Sequence, residues 1–493
     1  MERAAGILLP LFSLPSKYGI GTMGKNAYDF IDFLAKSQQT IWQLLPLGPT
    51  SYGDSPYQSF SSQAGNPYFI DLELLVNEGK LNKNDLPPET KENSLIDYGE
   101  IYINRTKILR KVFKDNFLKD HSEFQKFSEK NKWLDDYGLF MAVKKYFQMQ
   151  SWQNWPDKTI REHQQMAVDY YRNTLREDVE FYQYLQYLFY KQFAALKEYA
   201  HKKGILLMGD LPIYAALDSV DVWANSSQFQ LDEQLKPRKV AGVPPDYFSQ
   251  DGQLWGNPLY DWTKMAADGY KYWIERIAGV SKLYDIIRID HFRGLQAYWS
   301  VDSNEKTAKK GQWEMGPGIS FVKTICDWFN DVQFVAEDLG EITDDVRQLI
   351  IDSNLPSMKV IEFGMNPKDK SCHCPCNYDK NCICYLGTHD NVPIMGWMKQ
   401  ASKEEVAYSK KYFNLNLKEG YNWGFIRGGM ASCANTFIAQ MQDYLALGEE
   451  SRINIPSVGT GNWRWRMKSA DMNALLAKKI AKLTRLYQRS KKN

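Results

Sequence analysis

No stretch of this chain approaches the roughly 18 uninterrupted apolar residues of a membrane span. The opening Met-Glu-Arg-Ala-Ala-Gly-Ile-Leu-Leu-Pro lacks the basic-then-apolar layout of a secretory signal. Charge of one sign is also missing. The formal net charge is only +2, too weak a field to draw in nucleic acid or an acidic membrane. There is no internal repeat and no low-complexity linker, and histidine is scarce, with six residues. These absences predict a soluble, cytoplasmic protein whose substrate is uncharged, or is recognised by means other than charge.

What is present is apolar and aromatic. Hydrophobic residues make up 44% of 493, enough for a large core. Fifteen Trp and thirty Tyr are many; most should be core, and any surplus rings with polar edges suit sugar rings. Eight short apolar or β-branched runs read as strands: 5–9, 40–47, 205–211, 286–289, 334–336, 358–363, 382–386 and 453–455. Helical patterns lie between several of them. Ala27, Phe30, Ile31 and Leu34 recur at helical spacing after Asn26, a plausible N-cap. From Phe181 to Tyr199 the pattern repeats until Lys202-Lys203-Gly204 stops it. Strand–helix–strand alternation predicts a parallel sheet, and eight units predict an α/β fold closed as a (β/α)8 barrel with large insertions.

The spacing is uneven. Residues 83–157 are rich in Lys, Glu, Phe and Tyr at helical spacing, which predicts a mostly helical insertion. The catalytic barrel is then 1–82 with 158–493. Residues 214–262 are rich in Pro, Gly, Trp and Asp without clear periodicity, which predicts a long ordered loop over the active face.

Three of the runs end at a carboxylate: Asp290 in Arg288-Ile289-Asp290-His291-Phe292, Glu337 in Val335-Ala336-Glu337-Asp338, and Asp390 in Gly387-Thr388-His389-Asp390-Asn391. A strand's C-terminal end is where a barrel builds its site. Glycosidic-bond chemistry needs a nucleophile and an acid. Arg288 would share a face with Asp290 and keep it ionised, as a nucleophile requires, although a strand-end ion pair looks the same in sequence. Glu337 follows apolar residues that would raise its pKa, and Asp338 could add to this or simply start a helix. His389 and Asp390 could hold sugar hydroxyls or form a capping turn. Two of the six His, His291 and His389, adjoin these acids. Asp210, ending the third run, would orient Arg288 or cap a turn. Tyr57, Trp255 with Asn257, and Asn462 belong to polar–aromatic clusters read on the same face.

Five of the seven cysteines fall in Cys372-His373-Cys374-Pro375-Cys376 and Cys382-Ile383-Cys384. Zinc would find thiols there. However, one residue between paired cysteines is not the usual two to four. Cys382 and Cys384 read instead as small hydrophobes in a strand.

Taken in order, these motifs resemble those of the amylomaltases, the 4-α-glucanotransferases of glycoside hydrolase family 77. The resemblance runs nearly end to end. It includes Gly6 to Pro15, Tyr18-Gly19-Ile20-Gly21, Gln43 to Pro49, Asp54 to Ser59, Gly209 to Ile213, Gly242-Val243-Pro244-Pro245-Asp246, Arg288 to Phe292, Glu337 to Gly340 and Gly387 to Asn391. It implies that Asp290 is the nucleophile, Glu337 the general acid/base and Asp390 the stabilising third acid. It further implies that Tyr57, Asp210, Trp255, Asn257, Arg288, His291, His389 and Asn462 meet or support substrate. It implies retaining transfer of α-1,4-glucan segments from malto-oligosaccharides or longer glucans, with no metal or organic cofactor. An α-amylase-type hydrolase on the same barrel is the alternative. One departure stands out. Where the family commonly has His-Leu-Pro-His-Asn-Tyr, this chain has His373-Cys374-Pro375-Cys376-Asn377-Tyr378.

Overall fold

The structure is a computed structural model that describes residues 3–51, 53–92, 95–245, 249–340 and 342–491. Asp246 of the Gly242–Asp246 motif lies outside them. Twelve strands are present among the described residues: β1 (Ala4–Leu8), β2 (Ile41–Gln43), β3 (Leu206–Leu211), β4 (Lys239–Val243), β5 (Gln253–Pro258), β6 (Ile286–Ile289), β7 (Ala297–Asp302), β8 (Gly311–Met315), β9 (Gln333–Ala336), β10 (Ser357–Val360), β11 (Cys382–Tyr385) and β12 (Thr436–Gln440).

Eight of these form one parallel sheet in the order β10-β11-β12-β1-β2-β3-β6-β9. Across the β9–β10 seam the Ala336 amide donates to the Pro356 carbonyl at 2.9 Å, and the sheet curls into a (β/α)8 barrel. Side chains alternate across each strand. Leu8, Ile41, Met208, Ile286, Val335, Met358, Val360, Ile383, Tyr385 and Ile438 fill the barrel. Their neighbours Ile7, Trp42, Leu207, Ile287, Phe334, Cys384 and Phe437 face outward, into the layer under the helices. Moving two residues further along the inward rows reaches Gln43, Asp210, Arg288, Glu337, Glu362 and Gln440. The inner face thus turns from apolar to polar at the C-terminal rim.

The eighth barrel strand is not 453–455. It is Thr436–Gln440, which follows the helix Tyr421–Ala431 directly. Ile453 is fully buried, but its carbonyl accepts from the Trp463 amide at 2.8 Å, so this segment closes a rim loop rather than a sheet ladder. The 358–363 run also stops early as a strand, and Ile361–Gly364 tightens into a 3-10 turn.

Between β2 and β3 lie helices over Tyr98–Asn116, His121–Glu129 and Trp133–Tyr146, packed on the long helix Arg176–Lys202. Residues 214–262 are more than a loop. They hold β4 and β5, which pair antiparallel, and β4 pairs in turn with β7 from the segment after β6. The resulting four-stranded sheet, β5-β4-β7-β8, interleaves two insertions. Gly252 (φ 67°) turns the chain just before β5, and Gly256 (φ 75°) lies within it. No helix among the described residues is long and apolar enough to cross a membrane.

Candidate active site

Arg288 is the electrostatic centre of the rim. It points into the barrel mouth with 4% of its side chain exposed, and Nη1 lies 2.9 Å from both Asp210 Oδ2 and Asp290 Oδ1. Its Nε donates to Met358 Sδ at 3.2 Å. Asp210 is fully buried, while Asp290 keeps 28% of its side chain open to solvent. The guanidinium therefore ties one carboxylate to the interior and presents the other to the mouth.

The chain turns sharply after Asp290. His291 sits at φ 52°, an uncommon conformation for a residue with a side chain, and such strain clusters at working sites. The turn aims the His291 amide at Glu337 Oε2, 2.7 Å away, while the Leu339 amide donates to Oε1 at 2.8 Å. Glu337 is thus clamped by its neighbour's backbone and held beside Asp290.

Burial is the main force on both acids. It pushes Glu337 up to about 7, with Asp290 adding to the rise while Arg288 and the two amides oppose it. Asp290 rises to about 6, again mainly through burial, with Arg288 opposing and Asp210 and Asp390 adding. The water that reaches Asp290 eases its burial, which preserves the order: Glu337 holds its proton to higher pH. Asp338 does not cause the rise. It turns away to Lys359 at 3.1 Å and accepts from the Met358 amide.

Asp390 comes from the loop after β11. Asn454 Nδ2 donates to its Oδ1 at 2.6 Å, and His389 Nε2 lies 3.4 Å from Oδ2. The Tyr57 hydroxyl donates to Asp210 Oδ2. Its oxygen is then left to accept from His389 Nε2 at 2.9 Å, and the two rings stack with centroids 5.3 Å apart. Burial drives His389 toward its neutral form. Tyr57, Asp210, Arg288, Asp290, His389 and Asp390 are therefore one continuous network.

Trp255 meets the His291 ring edge-on at 4.8 Å, and Tyr214 stands 6.2 Å from Trp255. Burial holds His291 down to about 3, so it is a neutral ring in this aromatic wall. Asn257 is further back. It accepts from Gln58 Nε2 at 3.0 Å and donates to the Ala215 carbonyl at 2.9 Å, bracing the wall. Asn462 spends its amide on its own loop, bonding Ile455 N, Ile455 O and Val458 O. A small cavity of about 50 Å³ is lined by Tyr57 and Asp210, and also by Asp221, Arg276 and Tyr284. Neither Asp290 nor Glu337 lines it.

Sequence reasoning passed over Asn454, Arg452, Gln58 and Tyr214. Arg452 donates to the Asp390 carbonyl and, through Nε, to the Asn454 carbonyl at 2.7 Å. It reaches the acid from an irregular segment, where only the Pro-flanked 453–455 run gave a signal. The five cysteines do not converge on one point. Cys382 and Cys384 face outward from β11 and are fully buried, whereas Cys372 and Cys376 are exposed. No three His, Cys, Asp or Glu among the described residues are grouped to hold a metal.

A family model described as 4-alpha-glucanotransferase matches residues 9–473. The chain belongs to the 4-alpha-glucanotransferase family. The 4-alpha-glucanotransferase of Clostridium butyricum is 49% identical over 97% of this chain and 99% of its own. That of Thermus thermophilus is 40% identical over 96% of each chain. Among solved structures, the amylomaltase from Streptococcus agalactiae in complex with acarbose superposes with a TM-score of 0.97 at 40% identity, covering 99% of this chain and 100% of that one. This chain is thus a glucan-transferring enzyme, and membership of a transferase family disfavours the α-amylase-type hydrolase.

Proposed function

We propose that this 4-alpha-glucanotransferase works by a retaining, two-step displacement on malto-oligosaccharides and longer α-1,4-glucans. Glu337 protonates the glycosidic oxygen while Asp290 attacks the anomeric carbon, giving a covalent glycosyl-enzyme. Glu337, now ionised, takes the proton of an acceptor sugar's 4-hydroxyl, and that oxygen displaces Asp290. Asp390 faces the positive charge that develops at the anomeric carbon and holds ring hydroxyls. Arg288 keeps Asp290 ionised and correctly turned. The observation that carries this reading is the His291 amide–Glu337 hydrogen bond, which couples the two acids' positions, together with the order of their proton affinities.

Tyr57 and His389, with Asp210 bracing Tyr57 from below, form the floor on which the reacting sugar sits, and Trp255 with His291 and Tyr214 forms a wall for the acceptor. Excluding water there favours transfer over hydrolysis. Acarbose on the similar Streptococcus agalactiae amylomaltase supports a glucan-shaped cleft. Asn257 and Asn462 act through the loops they brace. The chemistry requires no metal or organic cofactor. A cytoplasmic setting, where structural disulfides are rare, completes the proposal and fits the seven free cysteines.

Incubation with maltotriose tests the reading. Glucose should appear together with a ladder of longer oligomers. Only shorter products, with a matching gain in reducing ends, would refute transfer.

A further inference from the structure

The cysteine segment is not used by the proposed reaction. Cys374 Sγ and Cys376 Sγ lie 3.4 Å apart, in contact. Cys374 precedes the 3-10 turn Pro375–Asn377, and the Asn377 amide donates to the Cys374 carbonyl at 2.8 Å. Residues two apart cannot separate their Cα atoms by more than about 7 Å. A tight turn brings them into the range of about 4.4–6.8 Å that a disulfide spans. The two thiols differ in access. Cys376 is exposed, while Cys374 is 5% exposed and packed near the Tyr408 hydroxyl at 4.0 Å. One accessible sulfur beside one sheltered sulfur is the layout of an attacking and a resolving thiol.

We propose that Cys374-Pro375-Cys376 is a reversible modification site, a dithiol that a small-molecule disulfide of the glutathione class closes into an intramolecular disulfide. Cys376, as its thiolate, attacks one sulfur of the small disulfide. A mixed disulfide forms, and one small thiol leaves carrying a proton. The Cys374 thiol then loses its proton to water and attacks Cys376 Sγ. The protein disulfide forms as the mixed one breaks, and the second small thiol leaves. Two protein thiols are oxidised and one small disulfide is reduced to two thiols, so atoms and electrons balance. Burial holds the Cys374 thiol above the usual range, which suits a group that acts only after its partner has been modified. The sulfurs are already in contact, so the second step is intramolecular and outpaces a further encounter with solvent thiol.

The site's surroundings join it to the barrel. His373 Nδ1 accepts from the Val360 amide at the end of β10, at 3.1 Å. A Cβ at Gly364 would fall 2.3 Å from the His373 carbonyl oxygen, so the loop sits directly on the turn after β10. Ring closure at Cys374 and Cys376 acts on that seat.

The test uses the full chain, reduced and freed of reductant, then incubated with oxidised glutathione, alkylated and mapped by fragmentation mass spectrometry. The expected result is loss of two hydrogens between Cys374 and Cys376, reversed by dithiothreitol, with Cys372 alkylated. Cys374→Ser should instead trap one glutathionyl group on Cys376, and Cys376→Ser should leave Cys374 unmodified. Alkylation of both thiols in the treated wild type would overturn the proposal. So would an unresolved glutathionyl adduct there, or a bridge to Cys372.

Discussion

Arg288 gives a single positive charge to Asp210 and Asp290, and its field also opposes the rise of Glu337. Burial beats that field for both catalytic candidates, because desolvation penalises a carboxylate wherever water is scarce. Both groups have folded-state values above the ordinary carboxylate range, so each holds its proton to higher pH than it would in solution. The signs for activity then differ by role. Asp290 must be ionised, so activity should fall as pH drops through about 6. Glu337 must be protonated, so activity should fall as pH rises through about 7. The two titrate as a coupled pair, and a narrow bell in kcat/KM between those limbs is expected. Glu337→Gln should lower turnover of maltotriose by about 10²–10⁴-fold. With an α-glucosyl fluoride, whose leaving group needs no proton, first-step turnover by that variant should lose the alkaline limb. An alkaline limb that persists there would assign the proton donor elsewhere.

At the scale of elements, the rim loop that carries His389 and Asp390 is set by what lies beneath it. A Cβ on Gly387 would come within 3.0 Å of Glu362 Oε1 and 2.8 Å of Asn391 Cβ. Glu362 is buried, held well above the ordinary range by burial and by Asp443, and its Oε1 has no hydrogen-bond partner. The loop therefore rests on a buried acid with no room above it. Gly387→Ala should cost about 1–3 kcal/mol of stability through overpacking. By displacing Asp390 it should cut kcat by about 10²-fold. An unchanged kcat in a folded variant would show that the seat is not critical. The three acids were legible because each ends an apolar run, and the inward row of a barrel strand continues into the mouth. β12 was not, because Thr436 and Gln440 bracket only three apolar residues and the nearby Ile453-Asn454-Ile455 gave a similar short signal. The sheet β5-β4-β7-β8 was hidden for another reason. Its pairing joins two insertions far apart in sequence, and local alternation says nothing about such partners.

Across the whole molecule, the chain's two ends fasten the wall from which the site is hung. Arg489 is fully buried, and its guanidinium donates to the carbonyls of Ala4, Met430, Ser432, Ala434 and Asn435, binding the last helix's exit to β1 and to the approach of β12. Burial lowers its pKa to about 10, still far above neutral, so the charge persists. Only closure of the sheet brings β3, β6, β9 and β11 round to one mouth. Asp210, Asp290, Glu337 and Asp390 come from four strands spread over some 180 residues of sequence. Segments such as that of Asn454 and Arg452 join them only in the folded state, which is why their part in the site had no sequence signature. The convergence of these acids on one sugar is the claim on which the rest depends. The most direct measurement is to give Glu337→Gln an α-maltotriosyl fluoride without acceptor, quench, digest and locate any glycosyl group by mass spectrometry. The account predicts one maltotriosyl ester, on Asp290. An ester on another residue, or none while fluoride is released at the rate of the intact enzyme, would contradict it.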